Sequence, residues 1–235
     1  MQRLSSSSFT RTPVTRQALT CRHILWDWNG TLLDDVWLCV EIINELLHKQ
    51  HLPAVTRDQY RNLFDFPVRD YYQKLGFDFE QTPFEQIGTE FMDHYRRRWR
   101  ECSLHSQAEE QLQRFFDAGM TQVILSAAQV SLLDECTRFY RIEKYFGAVL
   151  GLDHHYADGK VEIARNYMQD IEIDPQHIVF IGDTSHDALV AQEIGVNCIL
   201  YVNGHHPAEK LTPWQWPIIH SLQELQQLIS IHPYP

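Results

Sequence analysis

From residue 107 to the C-terminus, short apolar runs alternate with helical patterns, and this alternation constrains the fold more than any other feature of the chain. The spacing predicts helices over 107–118, 132–141, 160–170, 186–194 and 222–231, and strands over 121–126, 146–150, 177–181 and 197–202. One more apolar run, H-I-L-W-D over 23–27, precedes them and stops at Asn29 and Gly30. Strands separated by helices of this length imply parallel pairing, because a parallel neighbour needs a long crossover. The expected fold class is α/β, a Rossmann-like doubly wound parallel sheet.

Residues 36–104 interrupt that pattern. Val36, Val40, Ile43, Leu46 and Leu47 recur at helical spacing over 36–51, with Asp34 and Asp35 placed to cap the start. Further helical pieces begin near Arg57, Val68 and Pro83, punctuated by Pro67, Gly76 and Pro83, and no strand-like run appears before Cys102. The segment reads as an all-helical insert. Residues 1–22 are rich in Ser and Thr, carry Arg3, Arg11, Arg16 and Arg22 without an acidic residue, and lack the apolar stretch of a secretory signal. They are expected to form a disordered or targeting-like extension outside the fold.

Hydrophobic residues make up 44% and charged residues 22% of the 235 residues, and the formal net charge is -11. An acidic chain has no electrostatic footprint for nucleic acid or an anionic membrane, so neither is expected as a partner. It also opposes the approach of a phosphorylated substrate, which must then be drawn in by a local cation. No apolar run approaches the roughly 20 residues of a membrane span. The five cysteines are scattered, without a C-x-x-C pair, which argues against a disulfide framework or structural zinc and fits a reducing compartment such as the cytoplasm.

In an open parallel sheet, ligands collect beyond the carboxyl ends of the strands. The polar residues that end these runs are Asp27, Ser126 and Asp183, and Lys160 opens a helix after the loop D-H-H-Y-A-D-G. The segment D27-W-N-G-T31-L-L-D34 resembles the first motif of the haloacid dehalogenase (HAD) superfamily. Ser126 resembles the second motif, Lys160 the third and G182-D-T-S-H-D187 the fourth, in the family's order, and the likeness runs from about residue 23 to the C-terminus. The helical insert resembles the C1 cap of phosphoglycolate-phosphatase-like members, giving a core over 23–35 and 105–235 with a cap over 36–104.

This resemblance implies a Mg²⁺-dependent phosphatase that hydrolyses a small phosphorylated metabolite through an aspartyl-phosphate on Asp27. It places Asp27, Asn29 and Lys160 at the catalytic positions. Asp27, the Asn29 carbonyl, Asp183 and Asp187 are implied for the metal, and Thr31, Ser126, Ala127 and Lys160 for the phosphate. Arg69, after the F-D-F-P loop, is the expected substrate contact from the cap.

One position departs from the pattern. Hydrolases of the family carry an acid–base Asp two residues after the nucleophile, and this chain has Asn29. An amide cannot transfer protons, and losing such a group typically costs about 10²–10⁴ in rate. Three explanations stay open: an activated substrate such as an acyl phosphate or phosphoanhydride; a substitute proton donor among His154, His155, His205 and His206; or a weakened member that binds phosphorylated ligands. A phosphonatase would need a cap lysine, Lys49 or Lys74, near the site. The pairs Trp26/Trp28 and Tyr71/Tyr72 read as packing, with a place facing the entrance as the alternative for Trp28, and Arg96–Arg100 reads as a solvated helix face.

Overall fold

The computed structural model describes residues 18–153 and 159–231. The run His23–Trp26 (β1) is buried at all four positions, as befits a strand covered on both faces. It lies inside a six-stranded sheet completed by β2 (Thr121–Gln129), β3 (Ala148–Leu152), β4 (Ile178–Gly182), β5 (Asn197–Tyr201) and β6 (Ile218–Ile219). The spatial order is β3-β2-β1-β4-β5-β6 and every pairing is parallel. The order reverses at β1, so the crevice of this doubly wound sheet opens beside the end of that strand.

Alternate side chains feed two cores. Ile24, Trp26, Ile124, Val179 and Ile181 face one layer, while Leu25, Val123, Leu125, Ile178 and Phe180 face the other. Each large apolar side chain so buried contributes roughly 1.5–3 kcal/mol. The first layer is covered by α1 (Val36–Lys49) and two further helices, Ala108–Asp117 and Val130–Phe139; the second by helices Lys160–Asp170 and Ser185–Ile194.

After α1 the chain forms α2 (Arg57–Leu63), α3 (Val68–Lys74) and α4 (Phe84–Arg98). This helical segment is bracketed by Leu33–Asp34 and Ser103–Leu104, which pair antiparallel, so the chain leaves and re-enters the core at one place. Its outer end is tied back to the core by two cations. Arg61 donates from Nε to Gly204 O at 2.8 Å and from Nη2 to Val202 O and His206 O at 2.5 and 2.7 Å. Lys210 Nζ donates to Phe64 O at 2.5 Å. Bonds from a charged donor contribute about 1.5–3 kcal/mol in favourable cases. We expect Arg61→Met to lower unfolding free energy by about 2–3 kcal/mol, read as a shifted urea midpoint at unchanged slope; no shift would show that the tie contributes nothing.

Three sequence expectations need correction. Residues 222–231 do not form one helix: Leu222–Glu224 is a 3₁₀ turn, Leu225–Leu228 a single helical turn, and Ile229–Ser230 a strand. Leu222, Leu225 and Ile229 keep helical spacing and are all buried, but pairing with Leu19–Thr20 takes the last residues into a small parallel sheet. That pairing also brings residues 18–22 into the fold, with Cys21 buried, whereas residues 1–22 were expected outside it; residues 1–17 lie outside the described residues. Finally, Asp35 occupies the N-cap position of α1 but makes no side-chain capping bond, because its carboxylate is turned into the site below. Among the described residues no helix is long and apolar enough to cross a membrane, and the five cysteines are free and buried.

Candidate active site

The sheet register sets the site. Trp26 lies opposite Ile124 on one side and Ile181 on the other, so Asp27, Ser126 and Asp183 each follow within two residues of that level and gather at one edge, although β2 itself runs on to Gln129. Lys160, the first residue of its helix, reaches across to the same point. Its Nζ donates to Asp27 Oδ1 at 2.5 Å and Asp187 Oδ1 at 2.6 Å, with all three side chains buried. Burial opposes the charge on Lys160, but the two carboxylates outweigh it and raise its pKa. Lys160 is thus a fixed cation.

Asp183 is held by its own oxygens: Oδ1 accepts from Thr31 Oγ1 at 2.9 Å and Oδ2 from the His205 amide at 2.5 Å. Asp187 Oδ2 accepts from the amides of Asp183 and Thr184, and Thr184 and Asp187 form a capping box that starts the helix. Gly30 and Gly204 allow this packing. A Cβ at Gly30, where φ is +76°, would meet Asp183 Oδ2 at 2.3 Å, and one at Gly204 would meet it at 2.1 Å.

Asp27, Asp183 and Asp187 bring one oxygen each to within 4.8 Å of one another. Burial first, offset by Lys160 and reinforced by the charges of Asp187 and Asp183, pushes Asp27 well above the usual carboxylate range. Burial likewise raises Asp183 to about 6. Three buried carboxylates facing one lysine leave uncompensated negative charge, and their oxygen-only donor set suits a hard cation such as Mg²⁺. The residues therefore fit the metal the sequence resemblance implies.

A second network sits beside the first. Asp35 accepts from Asn29 Nδ2 and Tyr95 Oη, each at 2.7 Å, from the Gly30 amide at 2.9 Å, and contacts His205 Nε2 at 3.3 Å. Asn29 Nδ2 also donates to Tyr95 Oη at 2.7 Å, and Tyr60 Oη meets His205 Nδ1 at 2.9 Å. Burial would neutralise both ions, yet His205, Asn29 and Tyr95 hold the Asp35 carboxyl below its usual range, and Asp35 with Asp183 and Asp27 lifts His205 to about 9. Asp35, Cys39 and His205 also lie at metal-ligand distance, but these hydrogen bonds occupy the Asp35 oxygens, and the cluster is a satisfied ion pair.

Asp27, Asn29, Ser126, Ala127, Lys160 and Asp187 line one cavity of about 170 Å³. Thr31 does not line it: its hydroxyl bonds Asp183 and, at 3.3 Å, Asp27. Nor does Arg69, whose guanidinium lies over Phe79 at 4.9 Å and 3.8 Å from Glu85. Lys49 pairs with Glu90 at the surface, and neither it nor Lys74 reaches the cavity. Trp28 is 1% exposed and packs on Tyr140, away from any entrance. Tyr71 and Tyr72 pack on one another and also line the cavity. Of Arg96–Arg100, Arg98 joins Glu41, Glu45 and Glu101 at the surface, while Arg96 bonds Gln129 and Trp99 is buried.

Among the histidines, His154 and His155 lie outside the described residues. His206 is turned from the cavity: its Nδ1 accepts from the Ser185 amide at 3.0 Å and its Nε2 meets Phe64 O at 3.0 Å. Burial and the nearby Lys210 charge depress its pKa to about 3. A depressed folded pKa means that the neutral ring stabilises the fold above the unfolded pKa of about 6.5, and that this stability is lost as pH falls. His206 alone should cost about 2 kcal/mol by pH 5. Melting curves between about pH 7.5 and 5 should fall for the wild type and flatten for His206→Gln; parallel slopes would remove His206 from the account.

The sequence reading missed Asp35 as a site residue, together with Tyr60 and Tyr95 from the helical segment. Asp35 sits one turn past the first motif, a visible signal, but its N-cap position suggested a bland role. The tyrosines carry no local signal, because α2 and α4 deliver them from residues 60 and 95.

The family described as haloacid dehalogenase-like hydrolase matches residues 24–201. An N-acetylmuramic acid 6-phosphate phosphatase of Pseudomonas putida is 25% identical, over 89% of this chain and 96% of its own. A phosphoglycolate phosphatase of Vibrio parahaemolyticus is 24% identical, over 88% and 96%. A haloacid dehalogenase-like family hydrolase from Streptococcus pneumoniae superposes with a TM-score of 0.76 at 18% identity, covering 88% of this chain and 97% of that one. The chain belongs to the haloacid dehalogenase-like hydrolases and is an enzyme of that family, similar to its phosphoglycolate phosphatases.

Proposed function

We propose that the protein hydrolyses small phosphomonoesters with Mg²⁺, through an aspartyl-phosphate on Asp27, with residues 36–104 acting as the cap over a core of 23–35 and 105–235. The observation that carries this reading is the buried Asp27–Lys160–Asp187 bridge with an Asp183 oxygen within 4.8 Å, at the edge of a cavity that Asp27, Lys160 and Asp187 line. A Mg²⁺ held by Asp27, Asp183 and the Asn29 carbonyl would neutralise phosphate charge and draw Asp27 to its ionised form. Lys160 then partners the Asp27 oxygen that does not attack, and offers its charge to the phosphate oxygens. Ser126 and Ala127, within β2, line the cavity with Asp27, where the Ser126 hydroxyl and the Ala127 amide would hold those oxygens. Asp187 steadies Lys160 and the start of the following helix, which makes it a positioning residue.

Asn29 shapes the chemistry. Its amide is held between Asp35 and Tyr95 and has no proton to exchange. His205 lines the same cavity, but its two ring nitrogens are engaged by Tyr60 and Asp35, so it lends charge without an N–H for a leaving group. The reading therefore favours esters with good leaving groups and slow breakdown of the phospho-enzyme. The test is phosphate release from aryl phosphates and from acetyl phosphate, with Mg²⁺ and with excess chelator. Metal-dependent release is expected from both, and no release from either would end the phosphatase reading.

A further inference from the structure

The wall of the cavity opposite Asp27 is apolar. It is built by Phe64, Phe66, Val68, Phe84, Phe91 and Met92, all from the helical segment. Among the described residues no arginine lines the cavity, and the one lysine that does is Lys160, already bridged to Asp27 and Asp187. His205, the other cation there, is paired with Asp35. The remaining nearby cations are engaged elsewhere: Arg61 and Lys210 on backbone carbonyls, Arg96 on Gln129, and Arg69 over Phe79.

A substrate carrying a second negative charge would have to leave that charge unpaired against aromatic rings and close to Asp35, which carries a heavy desolvation cost. An aromatic or aliphatic body meets the opposite situation, because apolar surface and ring edges are what the wall offers. Two polar atoms of the cavity lining are unsatisfied: Tyr71 Oη and His186 Nε2 have no hydrogen-bond partner among the described residues, although both atoms are buried. His186 stands at the first turn of its helix with its ring 4.6 Å from that of Phe66, at the seam between core and helical segment. A buried donor without a partner is costly unless a ligand supplies one.

We infer that the substrate is a phosphomonoester of an uncharged, mainly apolar phenol, whose aryloxide is a good leaving group, with a neutral polar group that meets Tyr71 and His186. This rests on the phosphatase reading above and sets the chain apart in substrate from its Vibrio relative, since phosphoglycolate carries a carboxylate where this cavity presents aromatic side chains.

Binding of non-hydrolysable phosphonates separates this inference from catalysis. Calorimetry on the full chain with Mg²⁺ compares inorganic phosphate, benzylphosphonate and phosphonoacetate. We expect benzylphosphonate to bind at least about tenfold more tightly than phosphonoacetate, and more tightly than phosphate itself. Met92→Lys, a wall substitution away from Asp27, should narrow or reverse that ratio. Equal or tighter binding of phosphonoacetate by the wild type overturns the inference while leaving the phosphatase reading in place. If inorganic phosphate and both phosphonates fail to bind, the phosphate site itself is wrong and both readings fall.

Discussion

Asp27→Asn lowers Mg²⁺-dependent phosphate release by at least roughly 10³-fold, while the protein melts within about 5 °C of the wild type. The activity loss follows from removing the one carboxylate that ends β1 and contacts Lys160. The small stability change follows from two opposed effects. Losing the charge on Asp27 relieves its repulsion by Asp183 and Asp187, both of which push its pKa up. Against that, Lys160 keeps only Asp187 as a charged partner in a buried setting. Steady-state kinetics and a thermal melt on the same preparation check both halves. Residual turnover within tenfold of the wild type would remove Asp27 as the nucleophile.

Asn29→Asp should raise kcat for an ester with a poor leaving group by about 10²-fold or more and change acetyl phosphate hydrolysis far less. It should also destabilise the fold by about 1–3 kcal/mol. Both effects come from the same contact. Asn29 Nδ2 lies 2.7 Å from Asp35 Oδ2, so a carboxylate at position 29 faces another carboxylate, and the pair must share a proton. A shared proton is what a general acid needs, and the lost amide bonds to Asp35 and Tyr95 are what weaken the fold. The exchange Asn29→Asp with Asp35→Asn returns a donor to face the carboxylate and should recover most of the stability. Kinetics on an alkyl phosphate beside acetyl phosphate, with urea midpoints for the three variants, decide it. An equal gain on both substrates would mean that position 29 has no part in leaving-group protonation.

The core was legible because its signals are local. Apolar runs and helical spacing located β1 and the helix Lys160–Asp170 with the bounds seen in the structure, or within one residue of them. The strand-end rule singled out Asp27, Ser126 and Asp183 before any contact was known, and the register of β1 with β2 and β4 explains why those three meet. β2 was less legible: it runs on to Gln129 with a register shift after Leu125, which Ala127, Ala128 and Gln129, without a β-branched or large apolar side chain, did not announce. Residues 222–231 were misread for a related reason, since helical spacing cannot reveal a partner strand some 200 residues earlier.

The second network was illegible for a different reason. His205 is one of four loop histidines weighed as proton donors, yet Arg61 fastens the carbonyls of Val202, Gly204 and His206 and Tyr60 meets the His205 ring, which ties it into an ion pair. Asp35 then becomes an anion in a satisfied site, although its position in sequence suggested a helix cap. Arg69, the expected substrate contact, lies outside the cavity lining, because the aromatic rings of Phe79 and Phe84 give its guanidinium a surface to lie on.

The most direct test of the central claim is to trap the phosphoryl group on the protein. Incubation with acetyl phosphate and Mg²⁺, a rapid quench, borohydride reduction and peptide mass spectrometry convert an aspartyl-phosphate to homoserine at its position. The account predicts homoserine at position 27 alone, and more of it in the wild type than in Asn29→Asp, because Asn29 cannot activate the water that clears the intermediate. Phosphate release with position 27 unmodified, or modification at another residue, would contradict it.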